Sequence, residues 1–364
     1  MVEASIEKMH EKSPEHSPLA RHDGTPDVLV LVIGESSSRH AWNLFNPAEA
    51  MTTPRLKARV DSKGDIFPLA NVIAQTTSTR QAVPSMLTKQ PLIWPDGTPN
   101  PDATRSILSL AAEAGYSTAW FSNQAAIGQF DGVIAAYAQE ASVTAFLNPA
   151  SFTQQGSYDE ILLQPLQRHL QKFSRSFVVL HTMGSHFRFE HRYPARFGPF
   201  LDPKNENEAY RNSIAYTDYF LEKVIDILDK NNRSAVMIYT SDHGQGLPNE
   251  RCSKPSTNRL TADSYEIPAL VWLSNSYMSK NPLTPQLLRS HKNEPYTNGA
   301  IHETLLDFLN AKKIADTTPT LSTDRSSFIR RAKNKSTRMV VSPGTQWIDY
   351  DLVASKDACL IRKQ

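Results

Sequence analysis

The sequence predicts an α/β fold: a mostly parallel central sheet flanked by helices on both faces, with a small antiparallel sheet at the C-terminal end. Three observations carry this. Short, continuous apolar runs recur along the chain, as strands covered on both faces require. Segments whose apolar residues fall at helical spacing alternate with those runs. Alternation of this kind is the mark of a parallel sheet whose crossovers are helices.

The elements follow in order. DVLVLVI, residues 27–33, is the first buried strand. TRSILSLAAEAG, residues 104–115, reads as an amphipathic helix closed by Gly115, a residue suited to a helix C-terminus. STAWF, residues 117–121, is the next strand. YDEILLQPLQRHLQKF, residues 158–173, reads as a helix kinked at Pro165, which lacks a backbone donor. SFVVLHTM, residues 176–183, is a second buried strand. The longest helical pattern covers residues 207–231, where Ile214, Phe220, Leu221, Val224, Ile225 and Leu228 form one apolar face. SAVMIYTSD (234–242) and IPALVWL (267–273) are further strands, and YTNGAIHETLLDFLN (296–310) is a last helix. The tail from about 311 to 364 is more polar, and its RMVV and QWIDYDLV segments supply the small antiparallel sheet. The chain has no internal repeat and no low-complexity tract.

The totals exclude several classes. With 364 residues the chain fits one large α/β domain with appendages. Its 40% hydrophobic and 21% charged content is that of an ordinary soluble globular protein. A net charge of +2 offers no basis for a nucleic-acid partner. No apolar run approaches the roughly 20 residues of a membrane helix, and residues 1–26 lack the apolar core of a signal peptide. Cys252 and Cys359 belong to no CxxC or Cys/His cluster; a disulfide between them and two free thiols both stay open.

In open α/β sheets, active sites lie beyond the carboxyl ends of the strands. Here the first strand runs into Gly34-Glu35-Ser36, SFVVLHTM into Gly184-Ser185-His186, and SAVMIYT into Ser241-Asp242-His243-Gly244. Carboxylates and imidazoles gathered at strand ends suit zinc or another borderline divalent ion such as manganese. Asp242 and His243 are adjacent, so both reach one ion only from a loop; in a strand they would face opposite sides. AQTTSTRQAVPSMLT, residues 74–88, adds the hydroxyls of Thr76, Thr77, Ser78 and Thr79. Taken alone, such a cluster is more often a loop or helix cap. Beside a divalent ion, one of these hydroxyls can serve as a nucleophile and as the fourth ligand with Glu35, Asp242 and His243. At a helix start it would also lie among N–H groups that favour a phosphate.

VIGESSSRHAWNLFN, TTPRL, AQTTSTRQAVPSMLT, LHTMGSHFRFEHRYP, YRNSIAYTDYFL and YTSDHGQGL occur in that order. As a set they resemble the phosphoethanolamine transferases, over roughly residues 27–310. These are membrane-anchored periplasmic enzymes of the alkaline phosphatase and sulfatase superfamily, and they include the enzymes of colistin (polymyxin) resistance. The resemblance implies zinc-dependent transfer of phosphoethanolamine from phosphatidylethanolamine to lipid A, lipopolysaccharide core sugars or another envelope glycan. It singles out Thr79 as the nucleophile that carries the covalent intermediate. It implies zinc ligands Glu35, Thr79, Asp242 and His243, with a second metal left open. His186 would stabilise the phosphate or carry a proton. Thr77, Asn123, Gln124 and His181 would contact the substrate. Residues 1–26 would be the end of a linker from an N-terminal membrane region. Residues 27–364 would then form one monomeric catalytic domain, with 311–364 as an appendage, on the periplasmic face of the inner membrane.

Three positions depart from that family. Ser85 stands where a bridged cysteine is usual, so the nucleophile loop must be held in another way. Gln245 replaces a glutamate. ERCSKPSTNRLTADSYEIP lacks the histidine expected there; its Arg251, Lys254 and Arg259 would be phosphate binders or a solvated basic loop. A sulfatase reaction needs Cys or Ser in a Cys/Ser-x-Pro-x-Arg setting, which VPSML does not supply. A phosphoglycerol transferase of the same fold and a non-catalytic envelope domain remain as alternatives.

Overall fold

The computed structural model describes residues 24–88, 98, 100, 104–125, 132–148, 155–247, 261–310, 326–330, 337–341 and 347–354. Among these residues the strands are β1 (Val28–Gly34), β2 (Ile66–Ile73), β3 (Ser117–Ser122), β4 (Val143–Phe146) and β5 (Ser176–His181). They continue with β6 (Ala235–Ser241), β7 (Glu266–Leu273), β8 (Tyr296–Thr297), β9 (Met339–Val341) and β10 (Trp347–Asp349). The first eight form one sheet in the order β4-β3-β5-β1-β6-β7-β2-β8. Only β7 runs against its neighbours, β6 and β2; the other pairings are parallel.

The sheet is covered on both faces because its strands are apolar on both. Leu29, Leu31 and Ile33 of β1 join a core built with helices Thr79–Leu87, Ile107–Glu113, Gly132–Ala138 and Gly299–Leu309. Val28, Val30 and Val32 join a second core with helices Leu163–Lys172 and Glu206–Lys230. Every β1 residue is buried. Each such Val or Leu contributes about 1.5–3 kcal/mol relative to exposure. The face predicted for the long helix, Ile214 through Leu228, lies in this second core.

The sequence reading needs correction in two elements. Pro165 does not kink a helix: residues Asp159–Leu162 form a tight 3-10 turn, and the α-helix begins at Leu163. Pro165 therefore falls in a first turn, where its missing N–H has no intrahelical partner to lose. Tyr296 and Thr297 belong to β8 rather than to the last helix, which begins at Gly299. β2 carried no strand signal, because Pro68 and Asn71 interrupt it. It is tolerated because Pro68 faces only β7, while β8 pairs with Val72 and Ile73 alone.

β9 and β10 pair antiparallel, as the RMVV and QWIDYDLV segments predict. The pair docks beside β2 and β7: Val341 N–H donates to Gln75 O (2.7 Å) and Tyr265 OH to Val341 O (3.0 Å). Tyr350 OH donates to Glu266 Oε1 at 2.8 Å. Most of the segment proposed as a linker, most of the 311–364 tail, Cys252, Cys359, Arg251, Lys254 and Arg259 lie outside the described residues. Among the described residues no helix is long and apolar enough to cross a membrane.

Candidate metal centre and nucleophile

β1 and β6 are neighbours in register, with Gly34 opposite Ser241. Their carboxyl ends therefore deliver Glu35 and the Asp242-His243 pair to one place. Ligand atoms of Glu35, Asp242 and His243 all lie within 4.8 Å of one another. Glu35 and Asp242 are buried, at 1% and 0% exposure. β6 ends at Ser241, so Asp242 and His243 stand on the exit loop and both turn inward. Gly244 is required there by close approach: a Cβ would lie 2.0 Å from Asp263 O. Gly184 answers a different need, with φ +50° and a backbone packed on Glu35.

Thr79 is brought to the same place by a helix packed on one face of the sheet. It is the first residue of helix Thr79–Leu87, and its Oγ1 donates to Glu35 Oε2 at 2.9 Å. The same oxygen lies 3.5 Å from His243 Nε2. His243 Nε2 is in turn 3.3 Å from Glu35 Oε1 and 3.6 Å from Asp242 Oδ2. His243 Nδ1 points at Gly244 O (2.9 Å), which places a hydrogen on Nδ1 and leaves Nε2, facing the carboxylates, as the nitrogen that would bind a metal once it gives up its proton. Asp242 Oδ1 accepts from Ser36 N–H (3.1 Å) and His243 N–H (2.7 Å), but Oδ2 is buried without a hydrogen-bond partner. Two buried carboxylates, one of them with an oxygen that makes no hydrogen bond, an imidazole nitrogen and a hydroxyl fit a zinc-type divalent cation.

The protonation of the cluster supports that fit. Burial, helped by the charge of Glu35, pushes Asp242 up to about 7. Burial alone would lower His243, but the Asp242 and Glu35 carboxylates raise it to about 10. Burial also acts to raise Glu35, yet the hydrogen bond and charge of His243 hold it well below the usual carboxylate range. A proton on His243 thus stands in for the cation. Asp242 and His243 bind protons more tightly folded than unfolded, where their values are near 3.9 and 6.5. Their stabilisation is present at low pH and is lost as pH rises toward about 10. Zinc binding must expel the His243 proton, so its affinity should rise on the order of tenfold per pH unit between about 7 and 10. Thermal melts should show the metal-free protein weakening from pH 6.5 to 8.5 while the zinc-induced gain grows. A gain that is flat or shrinks with pH would contradict this cluster.

The remaining candidates fall in different settings. Gln124 Nε2 donates to Glu35 Oε2 (3.2 Å) and Thr182 O (2.9 Å), so it orients the Glu35 carboxylate. Asn123 is fully buried and donates to Ser157 O (2.9 Å) and Asp159 Oδ1 (2.8 Å). His181 is 1% exposed, beside Trp120, and burial depresses it to about 4 against the pull of Glu35; it is neutral at physiological pH. His186 is partly exposed, with Nδ1 2.5 Å from Phe187 O. Thr77 is half-buried in the loop before Thr79. Thr76 is taken up locally by Gln81 Oε1 at 2.8 Å.

Sequence reasoning missed Asp159. Its buried carboxylate accepts from Met183 N–H (2.7 Å), Gly184 N–H (3.0 Å) and Asn123, and so sets the turn that presents His186. Arg192 holds the far side of that turn through Nε–H to His186 O at 2.9 Å. Nothing at residue 159 signals this, because its partners come from distant segments. A second cluster, His40, Asp263 and Glu266, also has ligand-like spacing. Arg39 lies 3.0 Å from Glu266 Oε2, so this group reads as an ion-pair network. Burial acts to raise Glu266, but the His40 hydrogen bond and Arg39 charge hold it at about 2.

Comparison with known families bears on the chain as a whole. The sulfatase family profile matches residues 27–312. The chain belongs to the sulfatase family. Phosphoethanolamine transferase EptC of Escherichia coli is 26% identical over 277 residues, covering 71% of this chain and 47% of EptC. This chain therefore spans about half the length of the curated relatives it matches. The zinc complex of the C-terminal periplasmic domain of E. coli EptC superposes with a TM-score of 0.75 at 23% identity, covering 94% of this chain and 98% of that one. The soluble domain of lipooligosaccharide phosphoethanolamine transferase A from Neisseria meningitidis superposes at 0.64, with 25% identity and coverages of 80% and 90%.

Proposed function

We propose that this chain is the catalytic domain of a phosphoethanolamine transferase. It takes phosphoethanolamine from phosphatidylethanolamine onto Thr79 and passes it to an acceptor in the cell envelope, a lipopolysaccharide or another glycan. The observation that carries this is the placement of the Thr79 hydroxyl, 2.9 Å from Glu35 and 3.5 Å from His243 at a helix N-terminus. The relatives named as phosphoethanolamine transferases support this transferred group, and the periplasmic domain and integral membrane form among them support a location at the periplasmic face of the bacterial inner membrane.

Glu35, Thr79, Asp242 and His243 would hold zinc, which when bound favours the deprotonated hydroxyl and offsets phosphate charge. Thr79 Oγ1 bonds to phosphorus as the bond from phosphorus to the diacylglycerol oxygen breaks. The proton that Thr79 gives up passes to the departing oxygen, with His186 as the carrier. The acceptor oxygen then bonds to phosphorus, the bond to Oγ1 breaks, and the acceptor proton returns through His186 to Thr79. Ser78 makes no side-chain cap to the Thr79 helix, and its first turn holds no acidic residue. That end of the helix is therefore suited to the phosphate oxygens.

Peptide mass spectrometry after incubation with zinc and phosphatidylethanolamine tests the reading. A phosphoethanolamine adduct should appear on the peptide containing Thr79. Zinc-loaded protein that stays unmodified by phosphatidylethanolamine but is labelled by phosphatidylglycerol would replace the donor and sink the assignment.

A further inference from the structure

We propose that Asn298 is a positioning residue for Thr79: a buried amide latch that fixes the helix carrying the nucleophile. This rests on the reading of Thr79 given above. Asn298 immediately precedes helix Gly299–Leu309 and is fully buried. An asparagine in this place ordinarily accepts from the first-turn N–H groups of its own helix. Asn298 makes no such bond. Its side chain is committed to a different helix instead.

Nδ2 donates to Ser85 Oγ at 2.8 Å and to Ala82 O at 3.3 Å. Ser85 Oγ–H itself donates to Ala82 O at 2.6 Å, which closes a small network on the Thr79 helix. Oδ1 accepts from Gln75 N–H at 3.2 Å. The Asn298 backbone N–H donates to Ile73 O, the end of β2, at 2.8 Å. One residue thus grips the chain just before the hydroxyl loop, at Gln75, and just after the first turn of the helix, at Ala82 and Ser85. Thr79 lies between the two grips.

The helix needs an external hold. Pro84 lies inside it and offers no N–H to the carbonyl of Arg80, so the turn that follows Thr79 lacks one internal bond. Ala82, Val83, Met86 and Leu87 pack the helix into the core. That packing is strong but non-directional, and it permits small slides and rotations. The directional bonds of the Asn298 amide set the register. A misplacement of about 1 Å can cost on the order of 100-fold in rate.

The test compares the wild-type chain with Asn298→Ala, Ser85→Ala, Ser85→Thr and the Asn298→Ala/Ser85→Ala double variant. Each is followed by the rate of phosphoethanolamine labelling at Thr79 against phosphatidylethanolamine concentration, by zinc affinity, and by amide hydrogen exchange over residues 79–87. Asn298→Ala should lower the limiting labelling rate about 10–100-fold. The half-saturating donor concentration and zinc affinity should stay within about twofold, and exchange over the helix should accelerate. The double variant should be no worse than Asn298→Ala, because both changes open one latch. Ser85→Thr, which keeps the hydroxyl, should retain the rate that Ser85→Ala loses. A limiting rate that is unchanged, or that falls only with the folded fraction, overturns the proposal. Unchanged exchange over the helix overturns it as well. If Asn298→Ala does not fold, the Ser85→Ala and Ser85→Thr pair decides by the same readouts. If wild type is not labelled at Thr79, the nucleophile assignment fails, and the exchange comparison decides the latch by itself.

Discussion

Thr79→Ala should abolish the covalent adduct and slow release of diacylglycerol from phosphatidylethanolamine by at least about 10³-fold, the scale on which enzymes lose a nucleophile. The protein should remain folded, because Thr79 opens its helix and makes no backbone cap that Ala would break. Zinc affinity should fall less steeply, since Glu35, Asp242 and His243 remain. Thr79→Ser keeps the oxygen and should retain adduct formation at a reduced rate. Labelling kinetics with radioactive or mass-tagged donor separate these outcomes. Undiminished diacylglycerol release by Thr79→Ala would remove Thr79 from the reaction and leave only a metal site.

Asp242→Asn should have opposite effects with and without zinc. With zinc, it removes a charged donor from the centre, and titration calorimetry should show affinity lower by about 100-fold or more, beyond the loss expected for an outer partner. Without zinc, the same change should stabilise the fold. Asn retains the Oδ1 acceptor for the Ser36 and His243 N–H groups. It replaces Oδ2, which makes no hydrogen bond, with a donor and removes a buried charge whose burial, with Glu35 beside it, pushes it to about 7. Glu35 and a protonated His243 then balance each other. The gain should be on the order of 1–3 kcal/mol at pH 8, vanishing toward pH 4. Denaturant titration in a chelator checks the sign: a metal-free Asp242→Asn protein less stable than wild type at pH 8 would show that the carboxylate is not strained by burial.

Much of the architecture was legible in the linear sequence, for a physical reason. A strand buried on both faces must be apolar throughout, so β1, β5 and β6 announced themselves as VLVLVIG, SFVVLH and AVMIYTS. Polar residues that abruptly end such runs lie at the carboxyl edge of the sheet, so Glu35, Asp242 and His243 could be grouped before any distance was known. Their convergence needed only that β1 and β6 be neighbours, which the structure provides. Thr79, which only the family resemblance singled out among its neighbouring hydroxyls, lies beside Glu35 and His243 in space.

What only the tertiary structure decided is how those groups are held. Gln124 reaches Glu35 across 89 residues of sequence, Asn298 reaches Gln75 across 223, and Asp159 reaches Met183 from a 3-10 turn that read as helix. Each bond depends on side-chain direction to within about an ångström, and no periodicity encodes that. The same holds for β2, whose Pro68 and Asn71 hide a strand that exists because β7 and β8 pair with it. Apolar burial writes itself into sequence as a pattern, because every residue on a face must obey it. A single directional bond between distant segments leaves no pattern, and it becomes visible only when the chain has folded.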